Sequence, residues 1–248
     1  MRPVTPAAPA PLRVARLAST DARYRLERRD SLLLEYPNGS QAQVLQRTAW
    51  IRLLLAAGAG EPLTLVLDSL RTTGSLPLDS LRPLDGMVWK GRLSQGRVVD
   101  LQPSRQAPLA DQLVTPLLVD LLPMMPAAGI AAGDSWRDST ARPERLAGAE
   151  LPTSVTTSYR ASDGAGRVTL DVHADAQVTA RGTSTQFGQP IEIVAQGTRH
   201  HAWRLSPAGQ LEGSTHADTL RLSLDVPSVG QTVPATQVGH TTATRIGR

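Results

Sequence analysis

Hydrophobic and polar residues alternate through most of this chain, a period of two that is typical of β-strands with one dry and one wet face. In the clearest run, from Val168 to Val178, every second residue is apolar, and the run from Leu220 to Val226 repeats the pattern. The alternation predicts a mainly β protein built from antiparallel strands.

Turn residues divide these runs into elements. Pro37-Asn38-Gly39 contains an Asn-Gly pair, the strongest short signal for a hairpin, and Pro207-Ala208-Gly209 supplies a second turn. The final run, 233–246, is polar and rich in Thr, which is typical of an edge strand. The other strands are predicted at 24–36, 41–57, 63–67, 86–90, 97–101, 168–178, 191–194, 200–205 and 220–226.

The period changes to that of a helix in one segment, 108–136, where apolar pairs recur four residues apart. Thr115 as N-cap and Pro116 as the first helical residue favour a second short helix, which Pro123 and Pro126 end. About six large apolar side chains on this stripe represent roughly 9–18 kcal/mol of transfer free energy. The helices must therefore cover the apolar face of the sheet.

Together these elements predict a large curved antiparallel sheet, a half-barrel of roughly ten strands, with short central helices packed in its concave face. We expect a Pro/Ala-rich tether at 1–20 that contains no paired strand. We expect a single β-rich domain over the rest, with boundaries at 21–107 (first half), 108–150 (helical plug and junction) and 151–247 (second half).

A weak internal echo favours two pseudo-repeated halves. Trp89 and Trp203 each precede a hairpin-like stretch that contains Arg-Leu-Ser. A match of three residues is short, so duplication is one of two open interpretations and chance is the other.

Composition narrows the possible functions. The chain has no cysteine, which excludes disulfides, thiolate chemistry and cysteine-ligated zinc. Its net charge is +4, but the arginines are scattered among acids, whereas binding to nucleic acid needs a clustered basic face and stacking aromatics. We predict no nucleic-acid partner, no cofactor and no membrane-spanning segment. An Ala/Pro-rich lead into a β-domain is typical of chains from which a signal peptide or lipid anchor has been removed, so we expect a periplasmic, extracellular or envelope location.

One short motif, Gly133-Asp134-Ser135-Trp136, is compatible with a catalytic serine. A nucleophilic Ser135 would need a base and an oxyanion hole, and the Gly-x-Ser-x-Gly elbow is absent because Arg137 stands at the last position. We favour a turn made by Gly and Asp, followed by a Trp that packs on the sheet. No catalytic residue is assigned.

The histidines do not form a metal motif in sequence. Asp171, His173 and Asp175 share one strand face, but their Cα atoms would be about 6.6 Å apart stepwise, so a solvated face is the better interpretation. Adjacent His200 and His201 point to opposite faces. His216 and His240 have no recognisable partner, and no metal ligand is assigned.

The succession of Leu121-Leu122-Pro123, a Pro126 linker and Gly133-Asp134-Ser135-Trp136 resembles uncharacterised bacterial secreted or lipoprotein domains with a Pro-rich junction that ends in Gly-Asp-x-Trp. In architecture the predicted fold is similar to the LolA and LppX class of envelope lipoprotein carriers. That resemblance implies a concave sheet that holds a lipid. The chain departs from lipoproteins because it lacks a lipid-bearing cysteine.

Two functions remain open. The first is a non-enzymatic extracytoplasmic domain that binds an apolar or lipid-like ligand between sheet and helix. The second is a structural or protein-interaction module of the envelope, in which the helix is permanent core and strand 233–246 pairs with a partner. A serine hydrolase that uses Ser135 is a minor third. The predicted ligand-binding residues are Leu113, Leu117, Leu118, Leu121, Leu122, Met124 and Met125.

Overall fold

The computed structural model describes residues 11–56, 60–73, 81, 84–94, 97–146, 148–164, 166, 168–186, 189–227 and 230–247. In these ranges the first strands are β1 (Arg13–Val14), β2 (Thr20–Tyr36), β3 (Gly39–Leu55), β4 (Pro62–Thr73), β5 (Val88–Ser94) and β6 (Arg97–Pro103). Two short helices come next, α1 (Pro108–Leu113) and α2 (Thr115–Val119). The remaining strands are β7 (Ile130–Ala131), β8 (Ser135–Leu146), β9 (Ala149–Asp163), β10 (Leu170–Gln186), β11 (Gln189–Leu205), β12 (Leu211–Val226) and β13 (Gln231–Ile246).

Eleven of these strands form one antiparallel sheet in the order β6-β5-β4-β3-β2-β13-β12-β11-β10-β9-β8. Neighbours in the sheet are also consecutive in sequence, except where β2 pairs with β13. The first and last long strands therefore meet in the middle of the sheet. The edge strands β6 and β8 do not pair, so the sheet stays open, and the predicted mainly β antiparallel class is confirmed.

The sheet curves strongly enough to bring its two edges together. Arg97 on β6 forms an ion pair with Asp138 on β8. In a flat sheet of eleven strands these edges would lie about 48 Å apart, at 4.7–4.9 Å per strand. The ion pair therefore requires a curvature stronger than that of the predicted half-barrel, although β6 and β8 form no strand pair with each other.

The final strand corrects one prediction. The run 233–246 was expected at an edge, but β13 is the sixth of eleven strands and pairs on both sides. Its buried inner positions are the small residues Ala235, Gly239 and Ala243. Low hydrophobicity there reflects limited space inside the curved sheet, not exposure of the backbone.

The segment between β6 and β8 runs from one edge of the sheet to the other and carries both helices. We call 108–125 the plug. After it, β7 pairs with β1, Arg13 with Ala131 and Val14 with Ile130. The expectation that no strand pairs before about residue 20 is therefore wrong, and Val14 is buried; residues 1–10 lie outside the described ranges. Within those ranges, no helix is long and apolar enough to cross a membrane.

Apolar side chains on the inner face form two separate clusters. The helix cluster combines plug residues such as Leu118 with strand residues such as Ile51 and Leu170. The helix-free cluster, which includes Val178 and Leu220, is built from strands alone in the described ranges. The sheet thus has one inner half covered by the plug and one inner half without helices.

Candidate functional site

The plug fills the space above its half of the sheet. Of the seven predicted ligand-binding residues, six are buried in the helix cluster and Met124 is partly exposed. The gap between α2 and the sheet, lined by Leu117 and Leu121, measures only about 10 Å³. A cavity needs roughly 10–15 Å³ on this measure to hold even one water molecule, so no lipid-like ligand fits beneath the helix in this conformation.

Three sheet side chains hold the plug by hydrogen bonds. Arg47 Nη1 donates to the carbonyl oxygens of Gln112 (3.2 Å) and Leu113 (2.9 Å) at the end of α1. Trp203 Nε1 donates to the Asp120 carbonyl at 3.3 Å. The third bond runs from Trp89 Nε1 to Thr115 Oγ1 at 3.2 Å.

The Thr115 hydroxyl thus accepts a bond from the sheet, and the second helix begins one residue earlier than predicted, with Thr115 as its first residue and Val114 at the N-cap position. The two tryptophans that the internal echo singled out hold the two ends of α2, one from each half of the sheet. Duplication of the halves nevertheless stays a prediction.

A belt of ion pairs crosses the inner face at the boundary between the two apolar clusters. Arg28 pairs with Asp30 at 2.7 Å and with Asp218 at 3.3 Å, and Arg199 pairs with Glu144 at 2.6 Å. We call this set the charged belt; its five arginines and five carboxylates are Arg28, Arg47, Arg97, Arg142, Arg199, Asp30, Asp120, Asp138, Glu144 and Asp218. Its formal charges cancel, as buried charges require.

Gly239 makes one pair in the charged belt possible. Arg28 on β2 and Asp218 on β12 meet across the intervening strand β13, directly over Gly239. A Cβ atom at that glycine would lie 2.3 Å from Asp218 Oδ1 and 2.7 Å from Arg28 Nη2. The missing side chain therefore leaves the space in which the ion pair forms.

A cavity of about 120 Å³ lies beside the plug, between the edge strands and the floor of the sheet. Its polar wall includes Asp120, Arg199 and His201, and its apolar wall includes Val155 and Ala176 of the helix-free cluster. Two of the predicted ligand-binding residues, Leu122 and Met124, also line it. The cavity therefore joins charged groups to apolar surface, and it has room for several water molecules.

Two histidines that sequence spacing left apart are neighbours in the sheet. His201 on β11 lies directly opposite His216 on β12, and their rings stack with centroids 4.0 Å apart. Trp203 stacks on the other side of His201 at 5.0 Å. Only the register of the two strands brings the imidazoles together, so no local motif could have revealed them.

Burial sets the charge state of this cluster. It lowers the pKa of His216 to about 3, with a further contribution from His201, and it also lowers the pKa of His201. For Asp120 burial acts to raise the pKa, but the two imidazoles together with Arg142 and Arg199 outweigh it and hold that pKa below its usual value. Near neutral pH the cluster therefore contains two neutral imidazoles and one carboxylate.

The outer face holds the other candidates from the sequence. Asp175 pairs with His200 Nδ1 at 2.7 Å and Asp171 with Arg204 at 3.3 Å, all largely exposed except Asp171. These cross-strand pairs confirm the solvated face. His200 and His201 lie on opposite faces, as predicted.

Ser135 is also exposed, at the start of β8. The register puts it in line with Arg160 and then His173, two strands away, which is about 10 Å and beyond hydrogen-bond reach. The favoured turn is confirmed instead: Asp134 Oδ2 accepts the Ala131 N–H at 2.8 Å, and Trp136 stacks on Tyr159 at 5.1 Å.

Comparisons with known proteins add little to this geometry. No family model matches the chain, and no curated protein matches it. Among solved structures, the chain is similar to a Vibrio parahaemolyticus domain described as an outer membrane lipoprotein-sorting protein. The identity is 9%, the TM-score 0.22, and the alignment covers 90% of this chain and 83% of the other. At that TM-score we infer neither fold nor function from the likeness.

Proposed function

We propose that this protein is a non-enzymatic, extracytoplasmic binding domain whose inner face takes an amphiphilic, lipid-like ligand beside the plug. One observation carries the proposal: the cavity of about 120 Å³ has charged residues on one wall and the helix-free cluster on the other. An amphiphile has the same division into a polar head and an apolar tail. The head would lie against Asp120 and Arg199, with the tail directed along the helix-free half.

Partly exposed apolar residues support this direction for the tail. Leu32, Leu34, Ile191 and Leu224 border the helix-free cluster and retain part of their surface. Apolar area removed from water is stabilising by roughly 25 cal/mol per Å². A hydrocarbon chain that covered these side chains would therefore gain free energy from each of them, whereas the filled space beneath α2 offers a chain no such surface.

The experiment compares the inner and outer faces of the sheet with one fluorescent fatty acid, dansyl-undecanoic acid. The inner variant is Leu32→Gln with Leu34→Gln. The matched control is Val44→Gln with Val238→Gln, which changes two exposed apolar residues of the outer face. We expect the inner pair to weaken binding by roughly tenfold or more, because each polar amide replaces contact with the tail, and we expect the control to bind as the wild type does.

Equal affinity in the wild type and the inner variant would overturn the proposal, as would the absence of saturable binding. Extraction of the purified natural protein followed by mass spectrometry checks the same point with its own ligand. The envelope location belongs to the proposal as well, and fractionation that finds the protein in the cytoplasm would contradict it.

A structural or protein-interaction module of the envelope is the second candidate. The closed interface beneath α2 and the hydrogen bonds from Arg47, Trp89 and Trp203 favour it, since they are suited to a permanent core. Strand 233–246 cannot serve as the partner edge, because both of its sides are paired. This candidate predicts no lipid in the extract and no saturable binding of the fatty acid.

A further inference from the structure

Three side chains from separate parts of the chain converge at the boundary between the plug and the sheet. Asp120 lies just after α2, His201 on β11 and His216 on β12. One carboxylate oxygen and one nitrogen from each imidazole all lie within 4.8 Å of one another. Four-coordinate zinc with bonds of about 2.0–2.2 Å has ligand atoms closer than this limit, so modest side-chain adjustment would suffice to bind one ion.

Both imidazoles also carry a buried nitrogen without a hydrogen-bond partner. These atoms are His201 Nδ1 and His216 Nε2. Asp218 Oδ1 lies 3.5 Å from His216 Nε2 but is not in hydrogen-bonding geometry. Burying a polar atom without a hydrogen-bond partner costs free energy, and such unpartnered atoms are rare in native proteins. Two such atoms in a single cluster indicate that something absent from the protein chain binds there.

We propose that Asp120, His201 and His216 form a binding site for a divalent first-row transition-metal ion, such as Zn²⁺. Imidazole and carboxylate together suit zinc, copper, nickel and iron(II), whereas Ca²⁺ and Mg²⁺ prefer oxygen ligands alone. The stacked rings must turn about χ2 to direct both lone pairs at one ion, and that torsion is broad in histidine.

The surroundings of the site support a bound ion with open coordination positions. Asp120 and His201 line the cavity of about 120 Å³, so water or a ligand could reach the metal there. The guanidinium group of Arg142 lies 3.6 Å from the Asp120 carboxylate and competes with a cation for it. Affinity must therefore come from coordination and not from local net charge.

This inference does not depend on the proposed lipid ligand: Asp120 takes part in both sites, but metal binding rests on the two imidazoles and is tested with a different probe. Metal-free protein is titrated with ZnCl₂ by calorimetry and with CoCl₂ by visible absorption, which reports the geometry of the ligands. We expect one ion per chain. We expect His201→Gln, His216→Gln and Asp120→Asn each to weaken binding by at least tenfold, the usual minimum when a tuning group of a metal site is lost.

The outer face supplies the matched control. His200 adjoins His201 in sequence but pairs with Asp175 on the opposite surface, and His173 lies beside them. The double variant His173→Gln with His200→Gln removes two exposed histidines and should bind Zn²⁺ as tightly as the wild type. Loss of binding in this variant would overturn the proposal, as would unchanged binding in the three inner variants.

A measurement on the wild type guards against inner variants that fail to fold. Zn²⁺ that binds only the native state raises the melting temperature, and the same rise is expected in the outer-face double variant. Asp120→Asn is the mildest inner change, because Asp120 is partly exposed. Absence of any Zn²⁺-dependent rise in the wild type would contradict the site.

Discussion

The two halves of the inner face carry the same alternating pattern and differ in what lies above them. In the helix cluster, plug residues such as Leu118 and Val114 pack onto the sheet and leave a gap of about 10 Å³. The helix-free cluster is built from strand residues alone in the described ranges, is also buried, and borders the cavity of about 120 Å³. Strand periodicity alone therefore determines which residues point inward. It does not determine which of these residues are packed against helices.

The difference also explains where the charges lie. The plug ends at the boundary between the clusters, where Asp120 and the carbonyl ends of its short helices need partners. Arg47 serves one helix end directly, and the remaining members of the charged belt neutralise one another behind it. The charged belt thus lies at the polar ends of the plug helices. Where the charged belt borders the cavity, the inner face offers both charged groups and apolar surface.

The largest expected difference between the halves comes from one deletion in each core. Leu118→Ala should lower the free energy of unfolding by about 3–5 kcal/mol, because Leu118 is enclosed by plug and sheet and its cavity cannot collapse. Leu222→Ala, in the helix-free cluster, should cost about 2–3 kcal/mol, since partly buried residues such as Leu224 pack against this smaller cluster and can relax into the space. Urea denaturation followed by circular dichroism measures both.

Equal losses for the two variants would contradict the contrast between a core covered by helices and a core built from strands alone. A larger loss for Leu222→Ala would reverse it. Both residues are buried leucines, at 1% and 4% exposure, so side-chain chemistry and burial are matched.

A smaller effect is expected at the charged belt, where β3 carries arginines on both faces. Arg47→Met breaks the inner pair with Asp30 and removes the bonds to the end of α1. We expect a loss of roughly 2–4 kcal/mol, near the lower limit for breaking a buried pair because Arg28 still neutralises Asp30. Arg52→Met on the outer face removes an exposed pair with Asp21 and should leave stability unchanged within error. Similar effects of the two substitutions in denaturant titrations would show that the charged belt does not anchor the plug.

Sequence reasoning succeeded where the signal is local. The period of two and the spacing of leucines in the plug predicted most of the sheet and its helices, and Pro37-Asn38-Gly39 marked the hairpin between β2 and β3, although no strand was predicted at β8. It failed for β13, because polar and small residues are equally typical of an edge strand and of a crowded middle strand. It failed for β1, because two paired residues next to prolines have no period to detect.

The candidate site was out of reach for another reason. Asp120 is far in sequence from the two histidines, and the pairing of His201 with His216 depends on the exact register across the Pro207-Ala208-Gly209 turn, where a bulge between Arg204 and Leu205 shifts the pairing. Gly239 offered no clue either, since its role is to make room for a pair formed by two other strands. Long-range register and side-chain size at crossing points therefore determine the site.

The smallest effect concerns the response of the helix cluster to alkali. Tyr24 is buried in that cluster, its hydroxyl donates to the Leu211 carbonyl at 2.8 Å, and burial raises its pKa to about 12. An unfolded tyrosine has a pKa near 10, so the contribution of the protonated Tyr24 hydroxyl to the free energy of unfolding is fully present below pH 10. It is lost as pH rises from 10 towards 12, by about 1.4 kcal/mol per pH unit.

Tyr24→Phe should therefore reduce the loss of stability between pH 10 and 11, at a cost of about 1 kcal/mol at pH 8 for the missing hydrogen bond. Burial also raises the pKa of Tyr159 beside the plug, so part of the alkaline loss should persist in this variant. Tyr36→Phe, at an exposed tyrosine on the hairpin between β2 and β3, is the matched control for removal of a hydroxyl. Urea titrations at pH 8, 10 and 11 give the slopes. If Tyr24→Phe left the loss of stability between pH 10 and 11 unchanged, the group whose ionisation destabilises the protein in alkali would lie outside the core beneath the plug. The two halves of the inner face would then not differ in their response to alkali.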